Sequence, residues 1–171
     1  MERTLVLIKP DGVKRHLIGN IIARFENKGL KILSLKLMKV SEAKAKEHYS
    51  VHSLKPFFDS LVSYLTSGPI VAIILEGDNA IVSCRNIAGA TDGSKAAPGT
   101  IRGDFSLNIE ENIVHASDSQ EAYNHEYKIF FICPVNSWYR AVAGYSNIHS
   151  SCIPVAIFFH VLDWMENSVP G

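Results

Sequence analysis

The chain opens on a short apolar run, residues 4–8, that ends at Lys9-Pro10-Asp11-Gly12. Such a run predicts a buried strand feeding a turn, because Pro and Gly punctuate regular structure and Asp favours turn conformations. Leu17, Ile18, Ile21, Ile22 and Phe25 then recur at helical spacing, and Gly29 stands where that helix would stop. Residues 31–40 change period. Leu33, Leu35 and Leu37 share one face, with Ser34 and Lys36 on the other, as in a half-buried strand. Ser41 is placed to cap a helix running to about Tyr49. Phe57, Phe58, Leu61, Val62 and Leu65 form a second helical stripe; residues 70–75 read as a strand and 79–88 as a helix. Residues 89–103, which contain glycine and proline, are too long for a simple connection, and loops of that length are usually functional or disordered. A brief strand at 112–115 precedes a helix starting near Ser119.

Without the extra helices the order is β-α-β-α-β-α-β. It predicts an α+β fold, a ferredoxin-like sandwich whose four-stranded antiparallel sheet is covered by helices on one face. That fold hosts many chemistries, so function has to be read from side chains.

Charge divides the chain in two. All but three of the seventeen basic and seventeen acidic residues lie before Ile132; the exceptions are Arg140, Asp163 and Glu166. Residues 1–131 read as the folded domain and 132–171 as a low-charge C-terminal extension. Its strongly apolar run, 153–162, is shorter than the roughly 20 residues a membrane span needs. An extension packed on its own domain or on a partner is the expectation, with no membrane partner. With no net charge, the chain has no global field to draw it onto nucleic acid or lipid, so an anionic ligand must meet a local cluster of cations. Cys84, Cys133 and Cys152 lack CxxC or metal-ligand spacing, and an odd count of this kind fits a reducing compartment. The N-terminus has no signal-peptide h-region. A cytoplasmic protein is expected.

Two features offer chemistry. His115 closes the last strand, and a neutral histidine keeps a ring-nitrogen lone pair that can act as a nucleophile at neutral pH. Glu126, about two turns into the following helix, is within reach of its other nitrogen. A strand-end histidine taken alone is more often a hydrogen-bonded structural residue. The second feature is Gly99-Thr100-Ile101-Arg102-Gly103-Asp104, with Lys9 and Arg85 elsewhere: flexible backbone beside guanidinium suits a phosphate grip. It is not a Walker loop, and no GxGxxG, HExxH, GxSxG or zinc pattern occurs. Tyr49, Tyr64, Phe57 and Phe58 sit on helical stripes, where core packing is the default.

Taken together, the chain resembles the nucleoside diphosphate kinase family. The segments that carry the likeness are Glu2-Arg3-Thr4, Lys9-Pro10-Asp11-Gly12-Val13, Arg24-Phe25-Glu26, His48-Tyr49, Pro56-Phe57-Phe58, Ser67-Gly68-Pro69, residues 98–104 and residues 112–119. They occur in the family's order across residues 1–131. The string around His115, ending Ala116-Ser117-Asp118-Ser119, matches the family's signature at its nucleophile.

The resemblance implies reversible transfer of a terminal phosphoryl group from a nucleoside triphosphate, typically ATP, to a nucleoside diphosphate. It implies ping-pong kinetics through phosphohistidine at His115. Glu126 would orient the imidazole, with Ser117 beside that pair; Lys9 and Tyr49 would steady the phosphoryl group or bond the sugar. Asn112 would meet the ribose 3′-hydroxyl, and Arg85, Thr91 and Arg102 would grip phosphate. The base would stack on Phe57 with Ile109 opposite. Mg²⁺ would arrive on the nucleotide, near Asp118, without a dedicated protein site. A homo-oligomer is also implied. Asp92-Gly93 replaces the family's usual Asn-Pro, His16 replaces a residue that is often small, and the family pattern stops at Phe131. Two rival readings are a catalytically weak relative kept as a protein-interaction module, and an RNA-binding domain. The second is disfavoured by the absence of an aromatic-rich RNP-like strand.

Overall fold

Strand β1 (Glu2–Ile8) carries no charge after Arg3, and every residue from Thr4 to Ile8 is fully buried in the computed structural model. A run without polar alternation belongs at the centre of a sheet. β1 accordingly lies between β3 (Pro69–Gly77) and β4 (Val114–Ala116), antiparallel to both, and β2 (Lys31–Lys39) pairs with β3 to give the order β2-β3-β1-β4. This is the antiparallel sheet of the ferredoxin-like sandwich predicted above. The structure describes residues 1–132, of which Met1–Ile129 make up one compact unit. Apart from Ile132, the predicted extension therefore lies outside the described residues.

Helices α1 (Pro10–Lys14), α2 (Ile18–Asn27), α3 (Glu42–His48), α4 (Phe58–Thr66), α5 (Ala80–Ala88), α6 (Ile101–Phe105) and α7 (Gln120–Phe131) follow in chain order. Val6, Ile8, Val71, Ile73 and Leu75 of the sheet meet Ile21 and Phe25 of α2 and Ala80, Cys84 and Ala88 of α5. The three small residues of α5 recur every fourth position, which lets that helix approach the sheet closely. Its first turn is closed from a distance, the Glu2 carboxylate accepting the Ile81 N–H at 2.8 Å. Successive strand residues point to opposite faces. Full burial of Leu5 and Leu7 beside Val6 and Ile8 thus means that the centre of the sheet is covered on both faces, not on one.

Four local expectations are revised. The residues after Lys9 form the short helix α1 rather than a turn, with Pro10 in the first helical turn, where no amide hydrogen is needed. β2 alternates, but its leucine face points outward: Leu33, Leu35 and Leu37 are 37%, 45% and 61% exposed, while Ile32, Ser34, Lys36 and Met38 are half-buried. Periodicity separates the two faces of a strand; the packing of Ile32 on the core decides which one turns inward. The 89–103 stretch is not structureless. It holds a 3₁₀ turn at Gly93–Lys95 and ends in α6, each opened by a side-chain cap, from Asp92 and Thr100. Arg24 fastens it, donating to the Asp104 carboxylate at 2.5 Å and the Gly99 carbonyl at 3.0 Å. Finally, β4 starts two residues later than predicted, because Asn112 and Ile113 form a tight turn instead.

Candidate active site

His115 is held by register. It pairs with Leu7 across the β1–β4 ladder, so Lys9, just beyond the end of β1, emerges next to the segment that carries it. Two residues before His115 the backbone is strained: Ile113 has φ 68°, a left-handed conformation rare for a β-branched residue. The Val114 N–H reaches back to the Asn112 carbonyl at 2.7 Å, closing a three-residue turn. Three outside groups hold it. The Asp11 carboxylate accepts the Ile113 N–H at 3.1 Å, the Lys9 N–H donates to the Ile113 carbonyl at 2.8 Å, and the Lys9 ammonium donates to Asn112 Oδ1 at 2.7 Å. Gly12 has to stay small there, since a Cβ would lie 2.9 Å from Ile8 and 3.3 Å from Ile113.

The histidine's own partner is Glu126 of α7, whose Oε1 accepts from His115 Nε2 at 2.6 Å. The second carboxylate oxygen accepts from the buried Ser117 hydroxyl at 2.5 Å. With the proton on Nε2, the lone pair of the ring sits on Nδ1. Glu126 is 6% exposed, so the carboxylate is fixed by these bonds rather than by water.

His48, at the end of α3, stands edge-on to His115 with ring centroids 4.7 Å apart, and its Nδ1 is 3.8 Å from Glu126 Oε1. Burial first, then the neighbouring His115 and Lys9, hold its pKa well below the usual histidine value. It is therefore neutral at physiological pH. A cleft of about 430 Å³ opens over this group, lined by His48, Tyr49, Arg85, His115, Asp118 and Glu126 among others. A larger hollow of about 600 Å³, with Pro10, Val13, Tyr64 and Pro69 in its wall, contains none of the predicted site residues.

The predicted cations are placed differently from one another. Lys9 is 6% exposed; burial, then the Arg102 charge, brings its pKa down to about 8. Arg102, 4% exposed, donates to three backbone carbonyls: Asn112 at 3.2 Å, Gly89 at 2.8 Å and Val114 at 2.7 Å. It braces both sides of the strained turn and keeps two of its five N–H donors for other partners. Burial and the Arg85 charge bring its pKa to about 10, so it stays charged at neutral pH. Arg85 is exposed, with one long bond to the Ala116 carbonyl at 3.4 Å. Asn112, buried, spends an amide hydrogen on the Thr91 carbonyl at 3.0 Å.

The Tyr49 hydroxyl is buried without a hydrogen-bond partner among the described residues, and burial pushes its pKa up to about 12. Phe57, where the resemblance implies a stacked base, caps α4 and is 47% exposed. Ile109 is 58% exposed, and Thr91 and Asp118 are exposed too. The structure thus joins His115, Glu126 and Ser117 in one bonded chain and Lys9, Asn112 and Arg102 in another around the adjoining turn. It leaves Phe57, Thr91 and Ile109 on the open surface. Sequence reasoning overlooked Asp11, His48 as a neighbour of His115, and the strain at Ile113. For the first two the signal was present, in Lys9-Pro10-Asp11-Gly12 and His48-Tyr49; for the third there was none.

The family model for nucleoside diphosphate kinase matches residues 2–133. The nucleoside diphosphate kinase of Picrophilus torridus is 74% identical over 131 residues, 77% of this chain and 95% of that protein. The Thermoplasma volcanium enzyme of the same name is 67% identical over 131 residues, 77% of this chain and 89% of its own length. Among solved structures, a halophilic nucleoside diphosphate kinase from Halobacterium salinarum, in complex with CDP, superposes with a TM-score of 0.75 at 49% identity. It covers 77% of this chain and 88% of its own.

Proposed function

Because the chain belongs to the nucleoside diphosphate kinase family and transfers phosphoryl groups between nucleotides, we propose that the transfer passes through His115 as a phosphohistidine. The observation that carries this is the bond from His115 Nε2 to Glu126, which leaves the Nδ1 lone pair as the nucleophile. In the first half-reaction Nδ1 attacks the terminal phosphorus of a nucleoside triphosphate; the P–N bond forms as the P–O bond to the departing diphosphate breaks. The ring becomes cationic, and Glu126, braced by Ser117, stabilises that charge. In the second half-reaction a terminal oxygen of another diphosphate takes the phosphoryl group from Nδ1.

Spread negative charge on the transferring group needs fixed cations. Lys9 and Arg102 are the buried ones, and Arg85 with Thr91 would meet the outer phosphates. The unpartnered Tyr49 hydroxyl supports a contact with the phosphorylated histidine or the sugar, and Asn112 one with the ribose 3′-hydroxyl. Phe57 and Ile109 offer apolar surface to either side of a base. A base stacked on an open aromatic face meets little that reads its edge, so weak base selectivity follows. Mg²⁺ is taken as part of the substrate: the cleft wall carries two exposed carboxylates, Asp118 and Glu121, of which Asp118 is the one the resemblance puts near the ion, and phosphate and water suffice for the rest.

Three further readings belong to this proposal. β2 pairs only with β3 among the described residues, and its exposed leucines lie along an open sheet edge; such an edge supports self-association as a homo-oligomer. Residues 1–131 are taken as the catalytic domain, with 132–171 a separate extension that holds no site residue. Three cysteines without CxxC spacing support a reducing, cytoplasmic setting, and among the described residues no helix is long and apolar enough to cross a membrane.

The test is incubation with γ-labelled ATP, then addition of unlabelled diphosphate. An acid-labile, base-stable label that chases onto the diphosphate is expected. His115→Ala should lose label and turnover together, a drop on the order of 10⁶-fold, as for other nucleophiles. Label persisting in that variant would move the nucleophile elsewhere, with His48, His52 and His125 next to test.

A further inference from the structure

We propose that His48, His115 and Glu126 form a latent site for a divalent metal ion of zinc's class, and that an ion bound there switches the nucleophile off. The inference rests on His115 acting through Nδ1, and it adds a mode of regulation to that reading.

The three residues each offer one donor atom, and those atoms lie within 4.8 Å of one another. Two imidazoles and one carboxylate are the donor set of open zinc centres, where three protein ligands leave a fourth position free. At zinc–ligand distances near 2.1 Å, tetrahedral donors stand roughly 3.4 Å apart. The separations here, 2.6 Å for His115–Glu126 and 3.8 Å for His48–Glu126, lie on either side of that value. The donors lie within 4.8 Å of one another, so side-chain shifts of roughly 1–1.5 Å would complete the shell. A nitrogen-rich set selects zinc, cobalt or nickel over Mg²⁺, so the ion carried by the nucleotide does not compete for it.

The surroundings fit the same use. His48 and Glu126 are each 6% exposed, whereas His115 is half-buried at the cleft floor, so the fourth position faces the opening. Ser117 already orients the carboxylate through its far oxygen, as outer partners do at metal sites. His52 and His125 line the same cleft and mark a route inward. Lys9, whose charge is felt at His48, opposes a dication, and the Glu126 carboxylate offsets it.

The mode of inhibition follows from proton accounting. The neutral His115 ring holds one proton, on Nε2 toward Glu126. A metal bound at Nε2 takes that lone pair, and the proton moves to Nδ1. The site gains no proton and loses none, but the lone pair that would attack phosphorus is consumed.

The experiment uses the full chain stripped of metal. Co²⁺ is titrated in the absence of nucleotide and followed by its visible d–d absorption. In parallel, phosphohistidine formation from excess Mg–ATP is measured at buffered free Zn²⁺. The wild type should show four-coordinate cobalt absorption displaced by Zn²⁺, and should lose phosphohistidine with the same Zn²⁺ midpoint. With each inhibition curve normalised to that protein's own metal-free rate, His48→Gln should lose the absorption and raise the Zn²⁺ midpoint at least 10-fold over the wild type. His115→Ala, altered at a half-buried position, is the second variant and should also lose the absorption while melting cooperatively. Three results would overturn the proposal: no cobalt absorption in the wild type, absorption that persists in His115→Ala, or equal Zn²⁺ midpoints in wild type and His48→Gln. Failure of the metal-free wild type to form phosphohistidine would remove the phosphotransfer reading instead, and the cobalt spectrum would still decide whether the metal site exists.

Discussion

At the floor of the site, the groups that position His115 are tied to one another. Glu126 holds the ring at 2.6 Å, Ser117 holds Glu126 at 2.5 Å, and Arg102, Lys9 and Asp11 hold the turn before it through five bonds to Asn112, Ile113 and Val114. At the rim, Phe57 and Ile109 are about half exposed, and Thr91 and Arg85 face solvent. The two regions serve different needs. Attack on phosphorus rewards atoms fixed before substrate arrives, and buried hydrogen bonds fix them. On the proposed reading the rim stacks a base, which would need only a flat apolar surface, and rigidity there would gain little.

Four predictions break or sharpen this contrast. Glu126→Gln keeps the shape of the floor but removes the anion that selects the Nε2–H tautomer. Turnover should fall by up to about 10⁴-fold with little change in KM, measured by single-turnover labelling. A fall of only a few-fold would mean that the carboxylate is not needed to orient the ring.

Lys9 gives the floor a pH signature. With its pKa near 8, kcat/KM should decline as pH rises through about 8 and Lys9 loses its charge, and Lys9→Met should lose that limb along with most of its activity. Stability should move the opposite way. The unfolded lysine, at its usual 10.5, binds more protons between pH 8 and 10.5 than the folded one, so folding stability rises across that window. Denaturant titrations at pH 8 and 10 check the sign.

Phe57→Ala tests the rim. Losing a half-exposed stacking face should raise KM about 5- to 10-fold for purine and pyrimidine substrates alike, with kcat held, since each stacked base is worth roughly 1–3 kcal/mol. A base-dependent change would show that the rim reads identity. The smallest effect lies away from both regions. His16 adopts φ 57° after α1, which accounts for the small residue usual at that place. His16→Gly should stabilise the fold by under about 1 kcal/mol, relieved strain outweighing Gly's added chain entropy, and leave turnover unchanged. Thermal melts of the two proteins, run side by side, check it.

The floor was more legible than the rim or the connections. His115, Glu126 and Ser117 lie within twelve residues along a strand and the following helix, so local periodicity alone puts them in reach of one another. Arg102 could be singled out as a cation near flexible backbone. Its bracing of three carbonyls could not, since Gly89, Asn112 and Val114 meet it only after the sheet has closed.

The sequence by itself determined the alternating elements, the capping of α3 by Ser41, the unbroken apolar run that makes β1 central, and the string of residues that marks the nucleophile. These are properties of neighbours along the chain, where spacing and side-chain chemistry act directly. Only the tertiary structure decided that the leucines of β2 face outward and that Ile113 is held in a strained turn by Asp11, 102 residues away. It alone set His48 edge-on to His115. Each of these depends on which distant segment packs against which, and a period of two or of 3.6 residues carries no information about that.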